Sequence, residues 1–256
     1  MMKPSPIRSD LSNQLLRAMP DPSFYALSPF LELVPMPVRT RLAESGRLTN
    51  WVHFIEDGIA SVVNQSTRAL QEIGIVGREG ASCHMALLCH DVAPYSVFMQ
   101  IEGQAYRARS EVVVGLAQQD PALRAVFVNY THAFGIQLSQ TAVANVQCNI
   151  GERLARWLLM VEDRVAQPTL NITHEFLASM LGVGRTGVTL ALQDLEGAEL
   201  IRTGRKRIEI RDRPKLEAYT GGYYGFAEQE YRRLMERPTP VAGIGPVPAI
   251  PLRAVR

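Results

Sequence analysis

The stretch from Leu170 to Leu195 constrains the fold of this chain more than any other. Two short helices joined by a tight turn need a small residue where they cross and a glycine at the turn. Ala178 and Gly182 are placed to meet these needs, and Thr173 is placed to cap the first helix. The residues expected to face inward are Leu177, Leu181, Val183, Val188, Leu192 and Leu195. The spacing predicts a helix-turn-helix whose second helix begins near Arg185.

A basic β-hairpin is predicted directly after these helices. The segment 200–202 reads as a strand, 203–206 as a turn and 207–211 as the return strand. Between Ile201 and Lys215, seven lysines and arginines stand against two acidic residues, a net charge of +5 in a chain whose total is +2. Basic residues at a hairpin tip beside a helix-turn-helix form a phosphate-binding surface. The pattern therefore favours a winged helix that binds double-stranded DNA.

Particular residues of this region have predicted roles. Arg185 is suited to a bidentate contact with guanine, whereas Thr186 and Thr189 could reach a phosphate or a thymine methyl group. Gly184 leaves the amino end of the second helix bare enough to approach a phosphate. The predicted DNA-contacting residues are Thr173, His174, Gly184, Arg185, Thr186, Thr189, Arg202, Arg205, Lys206 and Arg207. The alternative is a winged helix used for protein contacts, because the fold alone does not establish the function.

The amino-terminal part has the pattern of a β-rich domain. A helical face of Leu11, Leu15, Leu16 and Met19 ends at Pro20. Short apolar runs then alternate with Gly, Asp and Asn, which predicts several antiparallel strands in a compact barrel or roll. The predicted strands are 51–54, 59–63, 72–76, 96–101 and 105–108.

A long helix is predicted from Asp120 to Gln147. Asp120 followed by Pro121 is a strong start signal, and the stretch that follows contains no further proline. Six residues alternate four and three apart along one seam: Leu123, Phe127, Tyr130, Phe134, Gln137 and Thr141. Such a seam packs either on its own domain or on a partner helix. We expect dimerisation, because a single β domain seldom covers so long a helix.

Two further helices and a tail are expected. Asn149 with Glu152 resembles a capping box, and the helix that follows is predicted to leave Arg153, Arg156 and Arg164 outward. A helix from Phe226 to Met235 is predicted before a tail with five prolines. Because this tail has little to bury, we expect it to be disordered.

From about Leu15 to Ala218 the chain resembles the Crp/Fnr family, bacterial regulators similar to the cyclic-AMP receptor protein. The segments that carry this resemblance are 54–58, 76–80, 148–149, 152–159, 175–178 and 180–183. The resemblance implies an α+β chain with an amino-terminal antiparallel β-roll, which is a jelly roll like the cyclic-nucleotide-binding domain. It also implies a long dimerisation helix and a carboxy-terminal winged helix-turn-helix. The expected boundaries are 11–118 for the β-roll sensor, 119–147 for the dimerisation helix, 148–218 for the DNA-binding domain and 219–256 for the extension.

The chain departs from the family pattern in its predicted sensor. Members that bind cyclic nucleotides have a Gly-Glu-Leu signature and then an arginine that holds the cyclic phosphate. Here the region reads Arg78-Glu79-Gly80-Ala81-Ser82-Cys83, and no arginine lies around Tyr95. Without that cation a phosphate would bind weakly, so cyclic AMP is not the expected effector. The candidate effector-pocket residues are Glu79, Gly80, Cys83 and Ser96.

The resemblance also bears on the operator. Arg185 falls on a base-contacting position of the family. Thr186 and Leu190 stand where the cyclic-AMP receptor protein has acidic and basic residues. The target sequence is therefore expected to differ from the one that protein reads.

No cofactor is expected. Family members with an iron–sulfur cluster need about four cysteines, mostly near the amino terminus, and the first cysteine here is Cys83. Haem or metal binding at His84, Cys89 and His90, and redox sensing by a thiol, are weaker alternatives to ordinary packing. The adjacent Cys-His pairs point their side chains in different directions. No catalytic motif occurs, so an enzyme is not expected.

These features predict a homodimeric, sequence-specific transcription regulator that an effector modulates at the β-roll. Its expected partners are a palindromic DNA operator, a second copy of the chain, RNA polymerase and a small-molecule effector. A cytoplasmic protein is expected, because no apolar run of about 18 residues and no signal peptide occur. The alternative is a ligand-binding or protein-interaction module that has lost DNA binding.

Overall fold

The computed structural model describes residues 6–65, 70–88, 90, 92–165, 169–205 and 207–236. Cys89, Lys206 and the proline-containing tail after residue 236 lie outside these residues. In the described part, no helix is both long enough and apolar enough to cross a membrane.

Two short helices open the chain, α1 (Gln14–Ala18) and α2 (Asp21–Leu27), with 3-10 turns at Arg8–Asp10 and Ser28–Phe30. Asn13 caps α1 by accepting a hydrogen bond from the amide of Leu16, and its own amide group donates to two carbonyls of the β domain. The predicted apolar face is buried, as Leu11, Leu15, Leu16 and Met19 show. These helices therefore close one end of the β domain.

The β domain is an antiparallel sheet. Its strands are β1 (Glu32–Met36), β2 (Arg41–Ala43), β3 (Trp51–Gln65), β4 (Leu70–Val76) and β5 (Ser96–Arg109), and α3 (His84–Leu87) lies between β4 and β5. The strand order is β1-β5-β3-β4, with β2 also paired to β5. Pro35 is tolerated in β1 because that strand lies at the sheet edge, where no partner needs its missing amide hydrogen.

The sequence predicted a break after residue 54 and another after residue 101, but the structure has irregularities inside two longer strands, β3 and β5, at these places. Residues 51–63 and 96–108 each belong to one continuous strand, and the pairing of β3 with β5 shifts register between Ile55 and Ala60. Gly58 has a φ of +86° at this point. A Cβ on Gly103 would lie 2.0 Å from the carbonyl oxygen of Asp57. Glycine therefore marks a close approach of two strands here, and not the end of a strand.

The long helix forms as predicted. After α4 (Ser110–Gln119), α5 runs over Pro121–Gln147, and Asp120 accepts hydrogen bonds from the amides of Ala122 and Leu123. At 27 residues, α5 is about 40 Å long.

The predicted dimer seam of α5 faces the chain's own β domain, so that prediction is wrong. Tyr130 donates a hydrogen bond to the carbonyl of Ala81 and accepts one from its amide, and Gln137 accepts one from the amide of Ile75. The β domain covers this face of the helix because its sheet and the loop after β4 extend along several turns. The seam residues buried within the chain are Leu123, Phe127, Tyr130, Phe134 and Gln137, whereas Thr141 is half-buried.

The next helix, α6 (Ile150–Glu162), begins with the predicted capping box, in which both reciprocal hydrogen bonds of Asn149 and Glu152 are present. The expectation that Arg156 and Arg164 point outward is wrong, since both are buried. Arg156 donates to the carbonyl of Tyr223, and Arg164 pairs with Glu79 at 2.7 Å. Contacts with distant parts of the chain cover these arginines.

The remaining elements complete the winged helix and its extension. They are β6 (Thr169–Asn171), α7 (His174–Leu181), α8 (Arg185–Gly197), β7 (Ile201–Gly204), β8 (Arg207–Ile210), α9 (Arg213–Tyr219) and α10 (Phe226–Glu236). The second sheet has the order β6-β8-β7. The helix predicted after Tyr219 is α10, and it packs on α5, where Asn129 donates to the carbonyl of Leu234. The extension therefore returns to the β domain.

Candidate nucleic-acid interface

The helices α7 and α8 form the predicted helix-turn-helix. Thr173 caps α7 by accepting a hydrogen bond from the amide of Phe176. Gly182 ends α7 with a φ of +64°, a left-handed conformation that glycine adopts without steric cost. Val188 and Leu192 of α8 are buried in the domain core. The turn and the core therefore hold α8 in a set orientation against α7.

The face of α8 opposite its core is open to solvent. Arg185 and Thr186 in the first turn are exposed, and Gly184 before them provides no side-chain cap. A Cβ on Gly184 would meet no atom within 4 Å. The amino end of α8 therefore presents free amide groups and a guanidinium on the same side, an arrangement suited to a negatively charged ligand.

Two of the predicted DNA-contacting side chains bond to each other. Thr189 donates its hydroxyl to the carbonyl of Arg185 at 3.1 Å, and its oxygen lies 3.2 Å from Nδ1 of His174. With that hydroxyl hydrogen already used, the Nδ1–H of His174 is the donor in the second bond. This pair ties the start of α7 to α8.

Two residues extend the exposed face of α8 beyond those predicted. Leu190 is 56% exposed, a large fraction for a leucine, and Gln193 is exposed one turn after Thr189. A leucine suits a thymine methyl group, and a glutamine suits adenine. The spacing of four residues from Thr186 to Leu190 and from Thr189 to Gln193 was the sequence signal that could have identified both.

The wing carries the predicted basic residues beside this face. Strands β7 and β8 pair from Ile201↔Ile210 to Gly204↔Arg207. Glu196 of α8 accepts hydrogen bonds from both the amide and the hydroxyl of Thr203, which ties the hairpin to the helix. The exposed cations are Arg202, Arg205 and Arg207. Lys206, predicted at the hairpin tip, lies outside the described residues.

The four predicted effector-pocket residues do not line one pocket. Ser96 accepts a hydrogen bond from the amide of Ser45. Glu79 is paired with Arg164, and a Cβ on Gly80 would lie 2.2 Å from the hydroxyl of Tyr130. The cavity beside Cys83 has a volume of only about 10 Å³, less than a ligand needs. The structure therefore does not bring these four residues together in the single pocket that the sequence predicted.

Aromatic packing fills the space beside Cys83. The ring of His84 lies 4.6 Å from that of Phe134 and 6.3 Å from that of Tyr95, measured between centroids. Burial lowers the pKa of His84 to about 4 and raises the pKa of the Cys83 thiol. Among the residues that the structure describes, no group of three or more His, Cys, Asp and Glu side chains is arranged to hold a metal ion. His90 is exposed, and Cys89 lies outside the described part.

Comparisons with known proteins agree with this architecture. Residues 152–219 match the family model of the Crp-like helix-turn-helix domain. No curated protein matches the chain significantly in sequence. The structure of FixK2 from Bradyrhizobium japonicum is similar, with a TM-score of 0.63 at 13% identity over 74% of this chain and 96% of that one.

Two further solved structures are similar. A transcriptional regulator of the CRP family from Thermus thermophilus, TTHB099, has a TM-score of 0.59 at 17% identity over 74% of this chain and 96% of that one. CLP from Xanthomonas campestris, a global regulator that responds to c-di-GMP, has a TM-score of 0.58 at 13% identity over 75% of this chain and all of that one. These likenesses confirm the predicted α+β fold.

Proposed function

From the Crp-like helix-turn-helix domain and the Crp/Fnr fold of this chain, we propose that it is a transcription regulator that binds a DNA operator as a homodimer. The observation that carries the proposal is the exposed face of α8. It places Arg185, Thr186 and Leu190 beside a wing with three exposed arginines. Base-reading and phosphate-binding groups thus lie on one side of the domain.

The proposed binding mode has two parts. The first turns of α8 enter the major groove, where Arg185 contacts guanine, while the wing arginines contact phosphates. In a symmetric dimer the two recognition helices would lie roughly 34 Å apart, one turn of the duplex, so the operator would be palindromic. RNA polymerase and a small-molecule effector are the further partners that we propose.

The proposed dimer uses the face of α5 that points away from the β domain. Three valines on this face are exposed: Val128 at 44%, Val143 at 41% and Val146 at 85%. Gly135 lies among them, and a Cβ there would meet nothing within 4 Å. Exposed apolar side chains along a helix with a glycine between them suit close packing against a second helix.

The test is a gel-shift titration with duplexes that the protein itself selects from a random pool, against a random duplex. Arg185→Ala should cost about 1–3 kcal/mol on the selected duplex and relax the preference at one base pair. Arg205→Gln should weaken binding to both duplexes similarly and lower the salt slope by about one. Arg47→Ala is the control, since Arg47 is an exposed arginine of the β domain, between β2 and β3.

Two outcomes would contradict the proposal. If neither variant differs from the control, α8 and the wing do not form the DNA surface. If the unaltered chain shows no salt-dependent binding to any duplex, the alternative of a ligand-binding or protein-interaction module replaces the proposal.

A further inference from the structure

A cavity of about 290 Å³ lies near the junction of the domains. It lies where the loop after β4 meets α5, the end of α6, α9 and α10, and it is lined by residues of each. This size is at the small end of the range for ligand pockets in proteins. None of the exposed residues of α8 or of the wing lines it. The cavity is therefore separate from the candidate DNA surface. Residues of α10 form one of its walls.

One wall of the cavity is apolar and aromatic. It is built by Tyr130, Ala133 and Phe134 of α5, and Ala227 of α10 also lines the space. The hydroxyl of Tyr130 is already occupied by the backbone of Ala81, so the tyrosine offers the cavity no free donor. A flat apolar group would fit such a wall better than a sugar or a peptide, whose polar atoms would find no partners there.

Two acidic groups at the cavity are neutralised within the protein. Glu79 is paired with Arg164 at 2.7 Å. Asp163 is paired with Arg213 at 2.8 Å and accepts the hydroxyl of Tyr224 at 2.5 Å. Arg213 also pairs with Glu162 and Glu217, which do not line the cavity. Each of the two acidic groups therefore already faces a cation.

Two other guanidinium groups at the cavity have no carboxylate partner among the described residues. Arg78 donates from Nε and Nη2 to the carbonyl of Asp163, and Arg232 donates from Nε to the carbonyl of Glu228 at 3.4 Å. Each guanidinium has five N–H donors, so most of them remain free. The carboxylate of Glu228 accepts the amide of Gly225. Counted over the side chains that line the cavity, four arginines stand against three carboxylates, a difference of one positive charge.

We infer that this cavity binds a small aromatic carboxylate, whose ring lies on the wall of Tyr130 and Phe134 and whose carboxylate meets Arg78 and Arg232. Arginine is suited to this role because its fork of donors matches the two oxygens of a carboxylate. The ligand would contact the loop after β4 on one side and α10 on the other. Bound there, it would bias how the β domain and the winged helix sit together. Only this regulatory consequence rests on the proposed function.

The test uses benzoate as the probe and the full chain, measured by isothermal titration calorimetry. We expect saturable binding of one benzoate per chain, with a dissociation constant below about 1 mM. Arg78→Gln and Arg232→Gln should each weaken it at least about tenfold, because each removes charge-assisted hydrogen bonds. Arg233→Gln is the matched control, since Arg233 lies on the same helix, is exposed and pairs with Glu230 at 2.6 Å. It should leave binding unchanged.

Two further ligands separate the contributions of charge and ring. Benzamide, which has the ring without the charge, should bind at least about tenfold more weakly than benzoate. Inorganic phosphate should also bind more weakly, because it has no ring to bury. Ala227→Leu should abolish benzoate binding by filling the space. If that variant loses its thermal unfolding transition, the benzoate affinity of Arg232→Gln still tests the inference. Arg232 is exposed, so its replacement leaves the core intact.

The inference is overturned if benzoate shows no binding up to about 10 mM, or if Arg78→Gln and Arg232→Gln bind it as tightly as the control. It is also overturned if phosphate binds as tightly as benzoate, since the site would then be a surface anion site. A gel shift with and without benzoate measures the regulatory consequence separately. A chain that binds benzoate but no DNA would contradict the proposed function and leave the cavity's ligand as inferred.

Discussion

Glu72 has unusual surroundings for a carboxylate. It lies on β4 and is buried where the sheet meets the winged-helix domain. One oxygen accepts the indole N–H of Trp157 at 2.8 Å, and the other accepts the hydroxyl of Ser61. Oε1 of Gln100 lies 2.8 Å from the same hydroxyl oxygen. The two hydrogen bonds and the attraction of Arg156 only partly oppose the effect of burial. Burial therefore raises the pKa of Glu72 to about 7.

Replacing Glu72 should change how stability depends on pH. Its folded pKa of about 7 exceeds the ordinary 4.5, so folding favours the protonated form. The cost of burying the charge is absent below pH 4.5, grows as the unfolded chain ionises, and is complete above pH 7. Glu72→Gln should therefore match the unaltered chain near pH 4.5 and be more stable by about 3 kcal/mol at pH 8. Urea unfolding at both pH values measures this, and a variant that is less stable at pH 8 would contradict it.

The helix α5 has two different faces. One contains Phe127, Tyr130 and Phe134 and is buried by the chain's own β domain. The other exposes Val128, Val143 and Val146. A helix of about 40 Å with an exposed apolar stripe on its outer side is common in chains that associate through that stripe.

A charge on the outer face of α5 should separate the proposed dimer. Val143 is 41% exposed, so Val143→Asp is tolerated in the monomer but places an unpaired charge between two helices in the dimer. We expect size-exclusion chromatography with light scattering to give the mass of one chain for the variant and of two for the unaltered protein. Val38→Asp is the control, because Val38 is a similarly exposed valine (48%) on the β domain. If both variants have the mass of two chains, the interface does not include Val143.

At the scale of the whole molecule, the β domain and the winged-helix domain are joined by buried polar contacts. Glu79, in the loop after β4, pairs with Arg164, which follows α6. The hydroxyl of Tyr231 in α10 donates to the carbonyl of Glu79 at 2.6 Å. The guanidinium of Arg164 also donates to the carbonyl of Met160 at 2.7 Å. Distant parts of the chain thus meet at one buried ion pair.

Breaking this pair should cost far more than breaking a surface pair. Glu79→Gln leaves the buried cation of Arg164 without its carboxylate, so we expect a loss of about 3 kcal/mol in the free energy of unfolding. Glu209→Gln is the matched control. It removes the pair with Arg211, whose side chains are 40% and 52% exposed, and should cost less than about 1 kcal/mol. Chemical denaturation measures both, and equal losses would show that breaking the buried pair costs no more than breaking a surface pair.

Much of the candidate DNA surface was predictable because its geometry is local. The cap at Thr173, the left-handed turn at Gly182 and the wing hairpin each depend on residues a few positions apart. Gln193 was missed because its only signal, the spacing of four residues from Thr189, indicates a shared helix face and not a contact with DNA. That these residues contact DNA stays a prediction.

The sequence by itself determined where the helices α5 and α6 begin. The start of α5 at Asp120 and the capping box of Asn149 and Glu152 are hydrogen bonds between residues at most three positions apart. Only the tertiary structure decided what covers the seam of α5, that Arg164 is buried, and that His84 packs against Phe134. Each depends on partners 50 or more residues away, such as the contact of Tyr130 with Gly80 and the pair of Glu79 with Arg164. A hydrophobic seam specifies that a helix face is buried, but what buries it depends on which distant surface lies close enough to exclude water.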